Sequence, residues 1–253
     1  MERWTAVLEA FLTRDEWGVR DLAVFVALSP SATHRILHEM VRNGLLTSAA
    51  EAGRFVIGPE AVRLSVLLAE RVDVRRIARP FLEGAARLIG ETVILALYSP
   101  TRQRFWAVDA VESEHTISYI WESLRSWSDL HRGASGKGIL AFLPADEREA
   151  IITSVDPSEQ EDLRAALDVA RSQGYVISHG ERFDGAIGVA APVRDATGRV
   201  IGDILSGWPD NRNAGDKEQV VVAHIVEASA SLSRALGYRH ETETLAIEFP
   251  DPA

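Results

Sequence analysis

Residues Arg132 to Gly138 read RGASGKG, which sets a hydroxyl, Ser135, and an amine, Lys137, among glycines. A Walker-type phosphate loop needs four residues between its first glycine and the Gly-Lys pair, then Ser or Thr. Here two residues separate Gly133 from Gly136, and Gly138 follows Lys137, so a nucleotide reading is poor. A Ser135/Lys137 nucleophile pair is disfavoured as well, because residues two apart at a helix start point in different directions. Anion binding is the chemistry left. The small side chains of Gly133, Ala134 and Ser135 let a ligand approach the backbone, and the free amides of a helix N-terminus suit a small carboxylate. Ser135 is read as the cap of that helix. His131 and Arg132, just before it, are the side chains expected to choose among acids, since a guanidinium matches carboxylate geometry. The plainer alternative is a simple helix cap with Lys137 in solvent.

A second constellation lies between residues 31 and 54. Ser31, Thr33, His34, Arg35, His38 and Arg42 are assigned to one face of a helix opposite Ile36, Leu37, Met40 and Val41, and Arg54 follows in a hairpin. Arginine pairs with guanine or phosphate, and hydroxyls and imidazoles reach phosphates or base edges, so this face is expected to bind DNA. His34 and His38 have a metal-capable spacing, but two histidines without further ligands do not make a site, and no metal is expected. A solvated polar face is the competing reading. The aromatic residues Trp106, Tyr119, Trp121, Trp127 and Trp208 all fall later in the chain, where core packing competes with ligand contact.

The elements that carry these residues follow from periodicity. Arg3 to Leu12 and Val19 to Leu28 read as short helices, and a third runs from about Ala32 to Arg42, with Ser31 as N-cap and Asn43-Gly44 as its stop. Leu45 to Ile57 reads as a hairpin. Three helices and a hairpin make a winged helix-turn-helix over residues 1–59. Residues 60–79 form an amphipathic linker helix, bounded at Arg79 because Pro80 biases its predecessor out of the helical region. Residues 80–253 alternate helices with strands at about 92–98, 104–111, 116–120, 175–178, 186–193 and 200–205, giving an α+β domain with an antiparallel sheet.

Composition narrows the partners. The 253 residues carry 27 basic and 37 acidic side chains, net −10, and no cysteine, which excludes disulfides, thiolate metal sites and cysteine nucleophiles. Residues 1–76 hold ten Arg against ten Asp plus Glu, so the whole excess lies in the second part. Nucleic acid therefore falls to the locally neutral first module. No apolar run approaches the roughly 18 residues of a membrane span and no signal peptide opens the chain, so a soluble, cytoplasmic protein without membrane contact is expected.

Four segments in order, VRDLAVFVALSPSATHRIL (19–37), ASGKGILAFLP (134–144), GYVISHGERFDG (174–185) and VAAPVRDATGRVIGDILSGWP (189–209), resemble the IclR family of bacterial transcriptional regulators. The resemblance implies an N-terminal winged helix-turn-helix, a linker helix and a GAF-like effector domain, assembled as dimers or tetramers. It also places Tyr119, Trp121 and Trp127 in the segment that covers the effector cleft in this family. Glu181, which a plain turn before a strand would explain equally, and Ser206 are assigned to the same cleft. The chain departs from the family at Asp129, usually proline, at Trp208, which interrupts a Ser-Gly-Pro run, and at Gly188, a ligand-contacting cysteine in some members.

The expectation is thus a ligand-responsive, DNA-binding regulator without catalytic residues or cofactor. Its partners are double-stranded operator DNA, a small organic acid, aromatic if the tryptophans line the cleft, and a second copy of itself. The other class left open is a small-molecule sensor or enzyme whose first domain makes protein contacts.

Overall fold

The computed structural model describes residues 2–11, 13–69, 73–115 and 126–239. The chain forms two compact units, Met1–Val72 and Asp73–Ala253.

The first unit runs α1 (Glu2–Ala10), β1 (Glu16–Gly18), α2 (Val19–Phe25), α3 (Pro30–Arg42), β2 (Leu46–Ser48), β3 (Arg54–Ile57) and α4 (Pro59–Ala69). Val7, Phe11, Trp17, Leu22, Ile36, Leu37, Met40, Leu46 and Phe55 fill one core. Helix α3 begins earlier than the sequence suggests. Ser29, not Ser31, is its N-cap and accepts from the Ala32 amide at 3.2 Å, because Pro30 has the fixed φ and missing N–H that suit the first helical position. At the other end Asn43 caps the helix and Gly44 takes a φ of 71°.

The strand β1 has no counterpart in the sequence reading; three residues are too few to show alternation. It pairs antiparallel with β3, Trp17 opposite Phe55, and makes the wing a three-stranded sheet in the order β1-β3-β2. Trp17 is buried and donates its indole N–H to the Ala10 carbonyl at 2.9 Å, which ties the sheet to the end of α1.

The run expected as one linker helix to Arg79 is two helices. After α4, helix α5 (Val74–Ile89) starts at Asp73, whose Oδ1 accepts from the amides of Arg75 and Arg76, and passes through Pro80 to Gly90. Proline is tolerated there because Arg76, whose carbonyl loses its helical donor, is exposed to water. Ala78, Leu82, Ala85 and Ala86 pin the helix to the sheet on its other side.

The second unit continues with β4 (Val93–Ser99), β5 (Arg104–Val111), β6 (Ser128–Asp129), α6 (Gly133–Leu140), α7 (Ala145–Thr153), α8 (Gln160–Gln173), β7 (Val176–His179), β8 (Ala186–Arg194), β9 (Val200–Pro209) and α9 (Lys217–Ala235). Six strands form one antiparallel sheet in the order β6-β5-β4-β9-β8-β7. One face packs on α5 and α9 through Val93, Leu95, Val189, Ile204 and Trp208. The other packs on α6, α7 and α8 through Ile94, Ala96, Phe105, Ala190 and Leu205. The architecture is α+β with an antiparallel sheet, as expected; the strand read near 116–120 lies outside the described residues.

The wing closes on α3 at Gly58, where a Cβ would stand 2.3 Å from the Gly44 carbonyl oxygen and 2.9 Å from the Leu46 carbonyl carbon. Gly58→Ala should destabilise the first unit by about 1–3 kcal/mol, since main chain must move to admit the methyl. Calorimetry of the whole chain should show the first unit's transition lowered and the second's unchanged; two unshifted transitions would mean the wing yields freely.

Candidate functional site

Helix α3 presents Ser31, His34, Arg35, His38 and Arg42 to solvent, as its pattern requires. Thr33 is a correction. It is fully buried and donates its hydroxyl to the Ser29 carbonyl at 3.1 Å, because positions 33, 36, 37 and 40 share the inward stripe. Arg35 has no hydrogen bond or ion pair among the described residues, and Arg42 keeps only a loose contact with Glu39, 3.9 Å. Arg54 on β3 is held between Glu51 at 3.2 Å and Glu16 at 3.4 Å. The His34 and His38 rings lie 4.2 Å apart, and no group of three metal-capable side chains occurs among the described residues. The outward face of α3 can thus offer one unpaired guanidinium and two imidazoles to a ligand.

In the second unit a shallow cleft opens between the N-terminus of α6 and the sheet, about 440 Å³ when the open solvent at its mouth is counted. Its lining includes Arg132, Gly133, Ala134 and Ser135 at the helix start, Glu181, Arg182 and Phe183 from the loop after β7, and Phe105, Gly188 and Leu205 from the sheet. The structure therefore gathers Arg132, Gly133, Ala134, Ser135 and Glu181 as the sequence suggested. Their roles differ from the expectation. Glu181, not Ser135, serves the helix start: its Oε2 accepts from the Gly133 amide at 3.1 Å and from Lys137 Nζ at 2.7 Å. Ser135 sits inside the first turn and donates instead to Asp203 Oδ1 at 3.0 Å. Arg132 turns outward to Glu159 at 3.0 Å.

Three expected contributors stand elsewhere. The Ser206 hydroxyl donates to the Thr92 carbonyl at 2.8 Å. Ser206 pairs with Val93 and Val189, both on the α5 and α9 face, so its side chain points away and only main chain reaches the cleft. His131 lines a neighbouring polar cleft with Arg102, Asp129, Asp156 and Glu159. Trp127 lies against Trp106, ring centroids 4.6 Å apart, with Arg102 over it, and does not line the cleft. Trp121 and Tyr119 fall outside the described residues.

Phe105, Ser178, Arg182, Phe183, Gly188 and Leu205 line the cleft without having been assigned to it. Strand alternation could have placed Ser178, Gly188 and Leu205 on one face once the pairing Ser178↔Gly188 was known, but pairing is not written in one sequence. Arg182 adjoined an expected residue. Its Nη2 donates to Ser128 Oγ at 2.8 Å, its Nε is buried without a partner, and its side chain lies 5.8 Å from the ring centres of both Phe105 and Phe183.

Beneath α6, Asp203 on β9 is fully buried, with Ser135 as its donor and Oδ2 unpaired. Burial drives its carboxyl well above the ordinary value, and the Ser135 hydrogen bond opposes this more weakly. Among the described residues no cation pairs with the charged form to offset its desolvation, so the site favours the neutral acid.

A winged helix-turn-helix joined to a separate α+β domain with a small-molecule cleft defines a class: DNA-binding transcriptional regulators with an effector domain. Residues 66–234 match the family model described as bacterial transcriptional regulator IclR C-terminal, residues 1–49 match the IclR helix-turn-helix domain, and the chain belongs to the IclR family. The HTH-type transcriptional regulator KipR of Bacillus subtilis is 24% identical over 241 residues, 92% of this chain and 95% of its own. An IclR transcriptional regulator from a Silicibacter species superposes with a TM-score of 0.76 at 20% identity, covering 94% and 96% of the two chains. An IclR homologue from Microbacterium hydrocarbonoxydans, solved in complex with 4-hydroxybenzoate, superposes with 0.57 at 24% identity over 92% and 97%. These relatives are regulators, a non-enzyme family, and no helix among the described residues is long and apolar enough to cross a membrane.

Because burial raises the native carboxyl of Asp203 above the unfolded value of about 4, this group's stability contribution is complete below that pH and drains as pH rises toward the raised native value. Asp203→Asn keeps the shape of the neutral acid and an acceptor for Ser135. It should match the parent near pH 4 and show the higher urea midpoint at pH 8. A parent and variant with the same midpoint at both values would place the native carboxyl in its ordinary range.

Proposed function

We propose that this regulator reads operator DNA with the outward face of α3 and answers to a small organic acid held in the cleft at the start of α6. The observation that carries the reading is the cleft: it combines first-turn amides, a half-buried arginine and apolar walls in the acidic part of the chain. The complex of the Microbacterium relative with 4-hydroxybenzoate supports an acid, aromatic ones included, as the class to screen first. Ser31, His34, Arg35, His38 and Arg42 are the proposed DNA contacts, with Arg54 bracing the wing. Thr33 holds the helix start and touches no DNA.

Between residues 31 and 54 three arginines face two glutamates, a net charge of +1, so a single half-site should bind weakly. Two linked copies raise affinity through effective concentration. The surface proposed to join them is α4, where Val62, Leu64, Val66, Leu67 and Leu68 are all exposed. Sedimentation at micromolar concentration should give a dimer or tetramer, and Leu64→Glu with Leu68→Glu should lower the mass. A monomeric parent would remove α4 from this role.

Arg35→Ala decides the DNA reading. Its side chain is exposed, so stability should change by no more than about 0.5 kcal/mol, while loss of a bidentate contact should weaken operator binding by about 1–3 kcal/mol. A gel shift with the operator, run with and without candidate acids, measures both halves of the proposal. Unchanged affinity in the variant would take Arg35 off the reading face, and a shift indifferent to every acid would take the acid out of the control.

A further inference from the structure

We infer that Arg182 anchors the effector's carboxylate and that the effector is a flat monocarboxylic acid whose body lies along Phe105 and Phe183. The inference rests on the acid-responsive reading above and goes beyond it, because it moves the anion from the helix start to a side chain. At the helix start the Gly133 amide is already taken. Glu181 fills the position an incoming carboxylate would take, bonded to the Gly133 amide at 3.1 Å and to Lys137 at 2.7 Å. A second carboxylate there would meet a like charge and would have to break both contacts.

Two arginines line the cleft. Arg132 is engaged with Glu159 on the exposed side. Arg182 is the one with capacity left. Of its five N–H donors, one is used, on the neutral hydroxyl of Ser128, and its Nε is enclosed without an acceptor. Among the described residues no carboxylate lies within salt-bridge distance of it. Asp129 attracts it from further away but pairs directly with Arg104 at 2.9 Å. Burial, the larger influence, depresses the pKa of the guanidinium. A cation taken out of water and left unpaired is costly, and an anion delivered by a ligand removes that cost. The fork of a guanidinium suits a carboxylate's two oxygens.

The walls select the rest of the ligand. Phe105 and Phe183 flank the guanidinium, and Ala134, Ala186 and Leu205 add apolar surface. Gly188 keeps the floor level: a Cβ there would stand 3.2 Å from both Ala134 Cβ and Ser178 Oγ. Aromatic walls favour a planar partner, stacked or edge-on.

The test uses the full-length chain, with benzoate and 4-hydroxybenzoate as probes and benzamide as the uncharged match, in titration calorimetry. The parent should bind at least one acid and bind benzamide at least tenfold more weakly. Arg182→Gln should lose at least tenfold in acid affinity while its weak affinity for benzamide stays the same. Arg182→Lys, which keeps the charge without the fork, should recover part of the loss and guards against misfolding of the first variant. Acid affinity equal in parent and Arg182→Gln would overturn the anchor while leaving the acid-responsive reading standing. No acid bound by the parent would overturn the flat-acid assignment, and operator gel shifts against aliphatic acids would then show separately whether the acid-responsive reading survives.

Discussion

The second unit is built around how closely α6 lies on the sheet. A side chain at Gly136 would collide with the Leu130 and Asp129 carbonyls at 2.8 and 2.9 Å, one at Gly138 would come within 3.1 Å of Ala190 Cβ, and Gly188 meets Ala134 from the sheet side. Glycine at these positions lets helix and strands approach to a distance ordinary residues would not allow. The close approach aims the first turn of α6 at the strand residues rather than at solvent. It also leaves a shallow slot at the helix end, where the packing stops, and that slot is the cleft.

The same closeness sets the electrostatics. Amides at the start of α6 have no acceptors in their own helix, and the chain answers with Glu181, a carboxylate brought from the loop after β7 and balanced by Lys137. Asp203 answers a different need. It sits under the helix where, among the described residues, no cation pairs with it, so burial favours its neutral form, and it accepts from Ser135. Two carboxylates beside one helix start therefore differ in character: Glu181 is paired with Lys137, and burial drives Asp203 toward its neutral form. Solvent access and the presence of Lys137 separate them.

Much of this was legible from residue patterns. The apolar stripe of α3 gave its inward face and its exposed polar residues; it failed at Thr33, whose hydroxyl suggested DNA contact although position 33 shares the stripe with Ile36, Leu37 and Met40. The small residues at 133–135 do line a cleft. What they could not mark was the partner of the helix start, because Glu181 is brought there by a hairpin 48 residues on. Ser206 failed for a related reason. Its face depends on the register of β9 against β4 and β8, and a one-residue slip would have turned it into the cleft. Pro80 marked a boundary that does not exist, since tertiary packing of α5 overrode a local preference. Trp127 was placed by analogy of position, and its ring instead covers Trp106.

The sheet's two faces suggest how occupancy of the cleft is felt elsewhere in the unit. Gly188 and Leu205 face the cleft, and their neighbours Ile187, Val189 and Ile204 face the layer that contains α5 and α9. One strand layer thus separates a bound ligand from α5, the helix with which the chain enters this unit at Asp73. Packed layers transmit displacement because they have no free volume to absorb it. A ligand can bias α5 only by as much as it prefers one arrangement of that layer to another, and whatever bias it exerts on DNA affinity must be returned by DNA on the ligand's affinity. The close seat of α6 keeps the free arrangement well defined. Arg182, whose guanidinium meets no carboxylate among the described residues, is a group whose energy an anion in the cleft would change, and β8 and β9 connect the two.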